Sequence, residues 1–99
     1  HDTIYRYLVS LADATRTHEH LELGLSPRGT LALGRMAQAY AFLQDRDYVV
    51  PGDVKKALPD VGIHRIRLNQ KAKLNERTAA ELLEEILRRV PEPKPGEKY

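Results

Sequence analysis

The sequence contains no cysteine, which excludes disulfides and thiolate-bound metals. It also lacks tryptophan and has one phenylalanine and one methionine, so Leu, Ile, Val, Ala and five tyrosines must build its core. No apolar stretch approaches the roughly 18 residues of a membrane span. No basic segment followed by an apolar run marks a secretory signal. A reducing cytoplasm is therefore the expected compartment. The first residue is His1 rather than methionine, which reads as excision from a longer chain. Charge of one sign is missing too: 16 basic residues are interleaved with 14 acidic ones, for a net charge of +2. A dedicated nucleic-acid binder gathers its Lys and Arg on one face, so nucleic acid is not the expected partner.

What is present is mostly helical periodicity. Ile4, Tyr5, Leu8, Leu11 and Ala12 recur at three-to-four spacing over residues 3–15. Asp2 or Thr3 can cap that helix, and Arg16 places a cation at its carbonyl end. Ser26 and Pro27 open the clearest helix, predicted to reach Gln44 with Leu33, Met36, Ala37, Tyr40 and Leu43 on one face and Phe42 extending it. A third helical region opens at Pro51 and carries Val54, Ala57, Leu58 and Val61; Pro59 and Gly62 interrupt it, which predicts two short pieces. Residues 75–90 predict an amphipathic helix capped by Asn75, with Glu84–Arg88 and Glu85–Arg89 pairs at the favourable spacing.

Residues around His20–Gly24 instead alternate polar and apolar, as a short strand does. They are expected to pair with the Ile66-Arg67-Leu68 stretch in a two-stranded ribbon, about 20–23 with 65–68. The expected fold is all-α, a small bundle of four to five helices over residues 1–90, with a disordered Pro-rich tail over 91–99.

The most specific local feature is Gly24-Leu25-Ser26-Pro27-Arg28. A Ser-Pro cap exposes the first amides of a helix and sets Arg28 in its first turn, an arrangement suited to a phosphate. An ordinary helix start with a solvated arginine is the simpler reading of the same residues. His18 and His20 would share a strand face, with Glu19 and Glu22 nearby, but no third or fourth ligand stands out, so no metal is expected.

Gly24-Leu25-Ser26-Pro27-Arg28 resembles the Gly-x-Ser-Pro-Arg motif of MoxR-type AAA+ ATPases, where it forms sensor 2 of the lid. Thr15-Arg16 resembles the Thr-Arg that ends the family's first lid helix. Arg46-Asp47-Tyr48-Val49, then Pro51 and Asp53-Val54, resembles its Gly-Arg-Asp-Tyr-Val-x-Pro-x-Asp-Val segment, and His64-Arg65 its following His-Arg. The likeness spans residues 4–68. Asp45 stands where the family has Gly, Gly52 where it has an acidic residue, and Val50 where Thr is frequent.

The resemblance implies an AAA+ lid fold. It implies that Arg28 is the sensor 2 arginine, reaching the γ-phosphate of ATP held with Mg²⁺ in a core domain, while Gly24, Ser26 and Pro27 shape the ATP-facing loop. ATP hydrolysis would be coupled to conformational change, for chaperone-like remodelling of an unknown client. The implied partners are the chain's own AAA+ core domain and neighbouring subunits of a homo-oligomeric ring, with His64-Arg65 a candidate subunit contact. The sequence holds neither a Gly-x-x-x-x-Gly-Lys-Ser/Thr phosphate loop nor an apolar strand ending in Asp-Glu. The chain by itself is thus expected neither to hydrolyse ATP nor to hold a cofactor of its own. Two other readings stay open: a small helix-turn-helix DNA binder, with residues 51–58 as its recognition helix and Lys55, Lys56, Arg65 and Arg67 on phosphates, and a plain protein-interaction bundle.

Overall fold

Leu11, Leu25, Leu33, Leu58, Leu82, Leu83 and Ile86 come from distant parts of the sequence and meet in a single fully buried cluster. A computed structural model describes residues 2–93. Its elements are α1 (Asp2–Thr17), β1 (Leu21–Leu23), α2 (Pro27–Leu43), α3 (Pro51–Gly62), β2 (Arg67–Leu68), α4 (Gln70–Leu74) and α5 (Ala79–Arg89). The expected helical bundle and its small ribbon are both present. In the ribbon β1 and β2 run antiparallel, with Leu21 opposite Leu68 and Leu23 opposite Arg67. α2 and α3 make the most extensive helix pair; α1 packs on both, and α5 packs on α3 and α1. The tail expected over 91–99 begins with irregular residues 91–93; the rest of it lies outside the described residues.

The apolar faces are narrower than the periodicity suggested. α1 buries Ile4, Tyr7, Leu11, Ala12 and Thr15, leaving Tyr5 64% exposed. α2 buries Gly29, Leu33, Ala37 and Ala41, whereas Phe42 and Leu43 are more than 70% exposed. The face that packs is thus rich in small residues, which lets α3 approach closely.

The α2–α3 connection explains the Arg46-to-Asp53 motif as architecture. Arg46 grips Asp53 with two parallel bonds, Nη1 to Oδ2 at 2.7 Å and Nη2 to Oδ1 at 2.8 Å, and also bonds the Tyr48 carbonyl. Asp53 is buried, and its Oδ2 accepts the Val50 amide, so the carboxylate ties off the start of α3 that Val50 has no side-chain group to cap. The Arg46 fork holds the Asp53 carboxyl below its usual range despite burial. Asp45, where the resembling family has glycine, sits at φ 58°. Aspartate tolerates that left-handed turn better than most side chains, so the departure keeps the turn.

Two expectations need correction. α3 is one helix, not two pieces: Pro59 removes only the bond to the Lys55 carbonyl. Burial of Ala57, Leu58 and Val61 on either side carries the helix through, and Gly62 leaves room for Leu83, whose methyls would lie 3.1 Å from an added Cβ. The helix expected over 75–90 is also shorter, and another precedes it. Asn69 caps α4 by accepting the Ala72 amide, and Asn75 ends that helix. Glu76 turns the chain at φ 54°, and Thr78 then opens α5 in a capping box with Glu81.

The amphipathic α5 is fastened to the α1–β1 turn by charge. Glu85 receives His18 Nε2 at 2.9 Å, Arg77 Nη2 at 2.7 Å and Arg89 Nη2 at 2.9 Å. His18 Nδ1 accepts the His20 amide at 3.0 Å, which leaves Nε2 as the protonated nitrogen that donates to Glu85. Both ring nitrogens of His18 thus serve the fold. The Arg77 and His18 bonds bring the Glu85 carboxyl down to about 2 from its usual 4.5.

A depressed carboxyl stabilises the fold above its unfolded pKa and loses that contribution as pH falls through the folded one. Glu85→Gln should cost about 1.5–3 kcal/mol at neutral pH, the usual worth of a hydrogen bond to a charged group. The gap to the wild-type chain, measured by urea unfolding, should close as the pH is lowered from 4.5 through about 2. A gap that does not change with pH would remove the Glu85 charge from this account.

Candidate functional site

The Gly24–Arg28 segment is held by the last turn of α1. Thr15, fully buried, donates to the Ala12 carbonyl at 2.6 Å, and its hydroxyl accepts the Leu25 amide at 2.8 Å. Arg16 Nε donates to the Leu25 carbonyl at 2.6 Å. Two adjacent α1 side chains therefore satisfy both polar groups of one extended residue, whose own side chain is fully buried. Gly24 reflects the same closeness. A Cβ there would stand 2.5 Å from the Thr15 carbonyl carbon and oxygen and 2.6 Å from the Arg16 nitrogen, which no neighbour can relieve because those atoms are backbone.

Beyond this grip the chain turns into α2. Ser26 has extended backbone at φ −72° and ψ 168°, and its hydroxyl accepts the Gly29 amide at 3.0 Å. Pro27 takes the first helical position, where no amide hydrogen is needed. Thr30 closes the turn by donating both its amide and its hydroxyl to the Ser26 carbonyl. With Pro27 lacking an amide hydrogen and Gly29 capped, Arg28 supplies the open amide of this first turn among the described residues.

Arg28 itself is exposed, and among the described residues its guanidinium makes no hydrogen bond or ion pair. A second cation lies close by: Arg65 Cδ would be 3.5 Å from a Cβ on Gly29, so the Arg65 side chain crosses the first turn of α2. The fold thus gathers Arg28, Arg65 and the partly positive start of a 17-residue helix at one corner. That corner is suited to an anion. Gly24, Ser26, Pro27 and Arg28 all fall where the sequence placed them. What the sequence left unassigned is the role of Thr15 and Arg16, visible only as an adjacent pair at a helix end, and the reach of Arg65.

The other candidates resolve differently. Residues 51–58, the suggested recognition helix, lie in α3 and turn Pro51, Asp53, Val54, Ala57 and Leu58 into the core. Lys55 pairs with Glu92 and Arg67 with Glu22, each at 3.3 Å, so two of the four suggested phosphate contacts already have carboxylate partners. No helix among the described residues is long and apolar enough to cross a membrane.

Comparison with known proteins gives the fold a family. The profile of the AAA lid domain matches residues 13–86, which includes the whole Gly24–Arg28 turn. This chain belongs to the AAA lid domain family. It is 41% identical over 92 residues to "Uncharacterized protein YeaC" of Bacillus subtilis, covering 93% of this chain and 29% of that one. It is 32% identical over 99 residues to "Chaperone MoxR1" of Mycobacterium tuberculosis, covering 91% and 26%. A crystal structure of a Cytophaga hutchinsonii protein, described as a "putative ATPase", superposes with a TM-score of 0.86 at 32% identity, covering 95% of this chain and 31% of that one. The MoxR resemblance is thus matched by a relative bearing that name. The chain spans less than a third of the length of each of these relatives.

The close approach at Gly24 gives a direct test. Gly24→Ala must push the α1 end and the β1–α2 segment apart, with a cost of about 1–3 kcal/mol or more, as for overpacking elsewhere. Urea unfolding of the 99-residue chain measures it. Wild-type stability would mean that the approach is looser than described.

Proposed function

We propose that this AAA lid domain works as the lid of a longer ATPase, with Arg28 as its sensor 2 arginine. The observation that carries the reading is the state of Arg28: exposed, uncommitted among the described residues, and mounted on a turn in which Leu25, Ser26, Gly29 and Thr30 are hydrogen-bonded. A cation that must meet a phosphate held by another domain needs that combination of rigidity below and freedom above. Gly24 permits the turn, Ser26 and Pro27 start the helix, and Arg28 reaches across to the γ-phosphate. ATP and Mg²⁺ belong to the core domain, which carries the phosphate loop and acidic strand that this chain lacks. The chain alone does not hydrolyse ATP.

Residues 1–90 form the lid in this reading, and the longer protein assembles as a ring in the cytoplasm. Its client is a protein complex that it remodels, in keeping with the relative named a chaperone. Exposed Tyr5, Leu31, Phe42 and Tyr48 line a groove that also takes in Arg16 and Pro27. They supply apolar surface for the lid to meet the core or a neighbouring subunit.

The test is Arg28→Ala in the full-length protein. Turnover of ATP should fall about 10²–10³-fold, the usual loss when one preorganised group facing transition-state charge is removed. Thermal unfolding should be unchanged, because the side chain is exposed. Wild-type turnover would overturn the assignment.

A further inference from the structure

We propose that Arg16 is a positioning residue for Arg28, resting on the reading of Arg28 as the phosphate-facing arginine. Arg16 ends α1 and is remote from the α2 start in sequence, yet its guanidinium holds the Arg28 turn at both ends. Nε bonds the Leu25 carbonyl before the turn at 2.6 Å, and Nη2 bonds the Thr30 hydroxyl after it at 3.2 Å. That hydroxyl in turn donates to the Ser26 carbonyl at 3.0 Å, so the Thr30 contact feeds back into the cap residue itself. Nη1 is held by Asp13 at 3.1 Å.

Each guanidinium nitrogen of Arg16 is therefore engaged inside the fold, with a carboxylate balancing its charge. Arg28, by contrast, has no such internal partner among the described residues. Arg16 acts by fixing the direction in which the first turn of α2 projects. The planar fork is what allows one side chain to span Leu25, Thr30 and Asp13 together; a lysine ammonium is a point charge and cannot bond all three at those separations.

The consequence is a defined kinetic signature. Tilting the α2 start shifts a long side chain by an ångström or more at its tip, and a misplacement of that size can cost about 10²-fold in the chemical step. Arg16→Lys keeps the charge beside Asp13 and loses the bracket, so in the full-length protein kcat for ATP should fall about 10–100-fold with KM within about threefold. The double variant Arg16→Lys/Arg28→Ala should turn over no more slowly than Arg28→Ala alone, because the positioned group is gone. Thermal unfolding of each variant separates loss of folded protein from loss of rate. Thr30→Val removes one end of the bracket and serves where an Arg16 variant does not fold; its smaller kcat loss should likewise vanish in the Arg28→Ala background.

Wild-type kcat in Arg16→Lys, or losses that multiply in the double variant, would overturn the positioning role while leaving Arg28 in place. Wild-type turnover in Arg28→Ala alone would instead overturn the reading of Arg28, and the positioning role with it.

Discussion

The contact between the backbone of Gly24 and the last turn of α1 is the constraint on which the Gly24–Arg28 corner depends. It brings an extended segment so close that a single methyl group would collide with main-chain atoms. At that distance the Leu25 amide and carbonyl lose their access to water and must find partners in α1. Thr15 and Arg16 provide them from adjacent positions. Everything that follows, the Ser26 cap, Pro27 and the aim of α2, takes its bearing from an already fixed residue.

Charged side chains do comparable work at the two other joints of this small domain. Burial of apolar surface is limited in a chain of 99 residues, and a core with neither tryptophan nor cysteine has few large or covalent anchors. The Arg46–Asp53 fork shapes the α2–α3 connection, and the Glu85 cluster joins α5 to the α1–β1 turn. The Asp53 carboxylate is buried and that of Glu85 partly so, and the Arg46 and Arg77 side chains are themselves largely covered. Breaking one partner of such a pair leaves a poorly solvated charge, which is destabilising.

How much of this was legible in the sequence depended on how local each signal was. The start of α2 was legible because its cap and its proline are adjacent residues acting on the same turn. The ribbon was legible because alternation is a period-two pattern, and its partner carried a matching apolar–polar–apolar triplet. Pro59 misled because helix-breaking chemistry is local, whereas the burial that overrides it comes from α2 and α5. α4 escaped notice because its five residues are too few to show a period, although Asn69 marked its start and Thr78 with Glu81 marked the next. The Arg46-to-Asp53 motif could be matched to a family but not understood, since its meaning lies in a fork that closes only when the chain has turned at Asp45.

The arginines show what the structure adds to a motif. Composition treats them alike, and the sequence singled out Arg28 by its neighbours alone. In the fold they divide by commitment. Arg16, Arg46 and Arg77 each hold internal partners and shape the chain, while Arg28, Arg35 and Arg65 carry no such bond among the described residues. Of these last, Arg35 lines the α1–α2 groove, well along the helix, whereas Arg28 belongs to the first turn of α2 and the stem of Arg65 packs beside Gly29 in that turn. An exposed guanidinium at the positive end of a helix stays open to an anion from outside the domain. The same helix start that a sequence motif marks is thus a place where the fold leaves positive charge without an internal partner among the described residues.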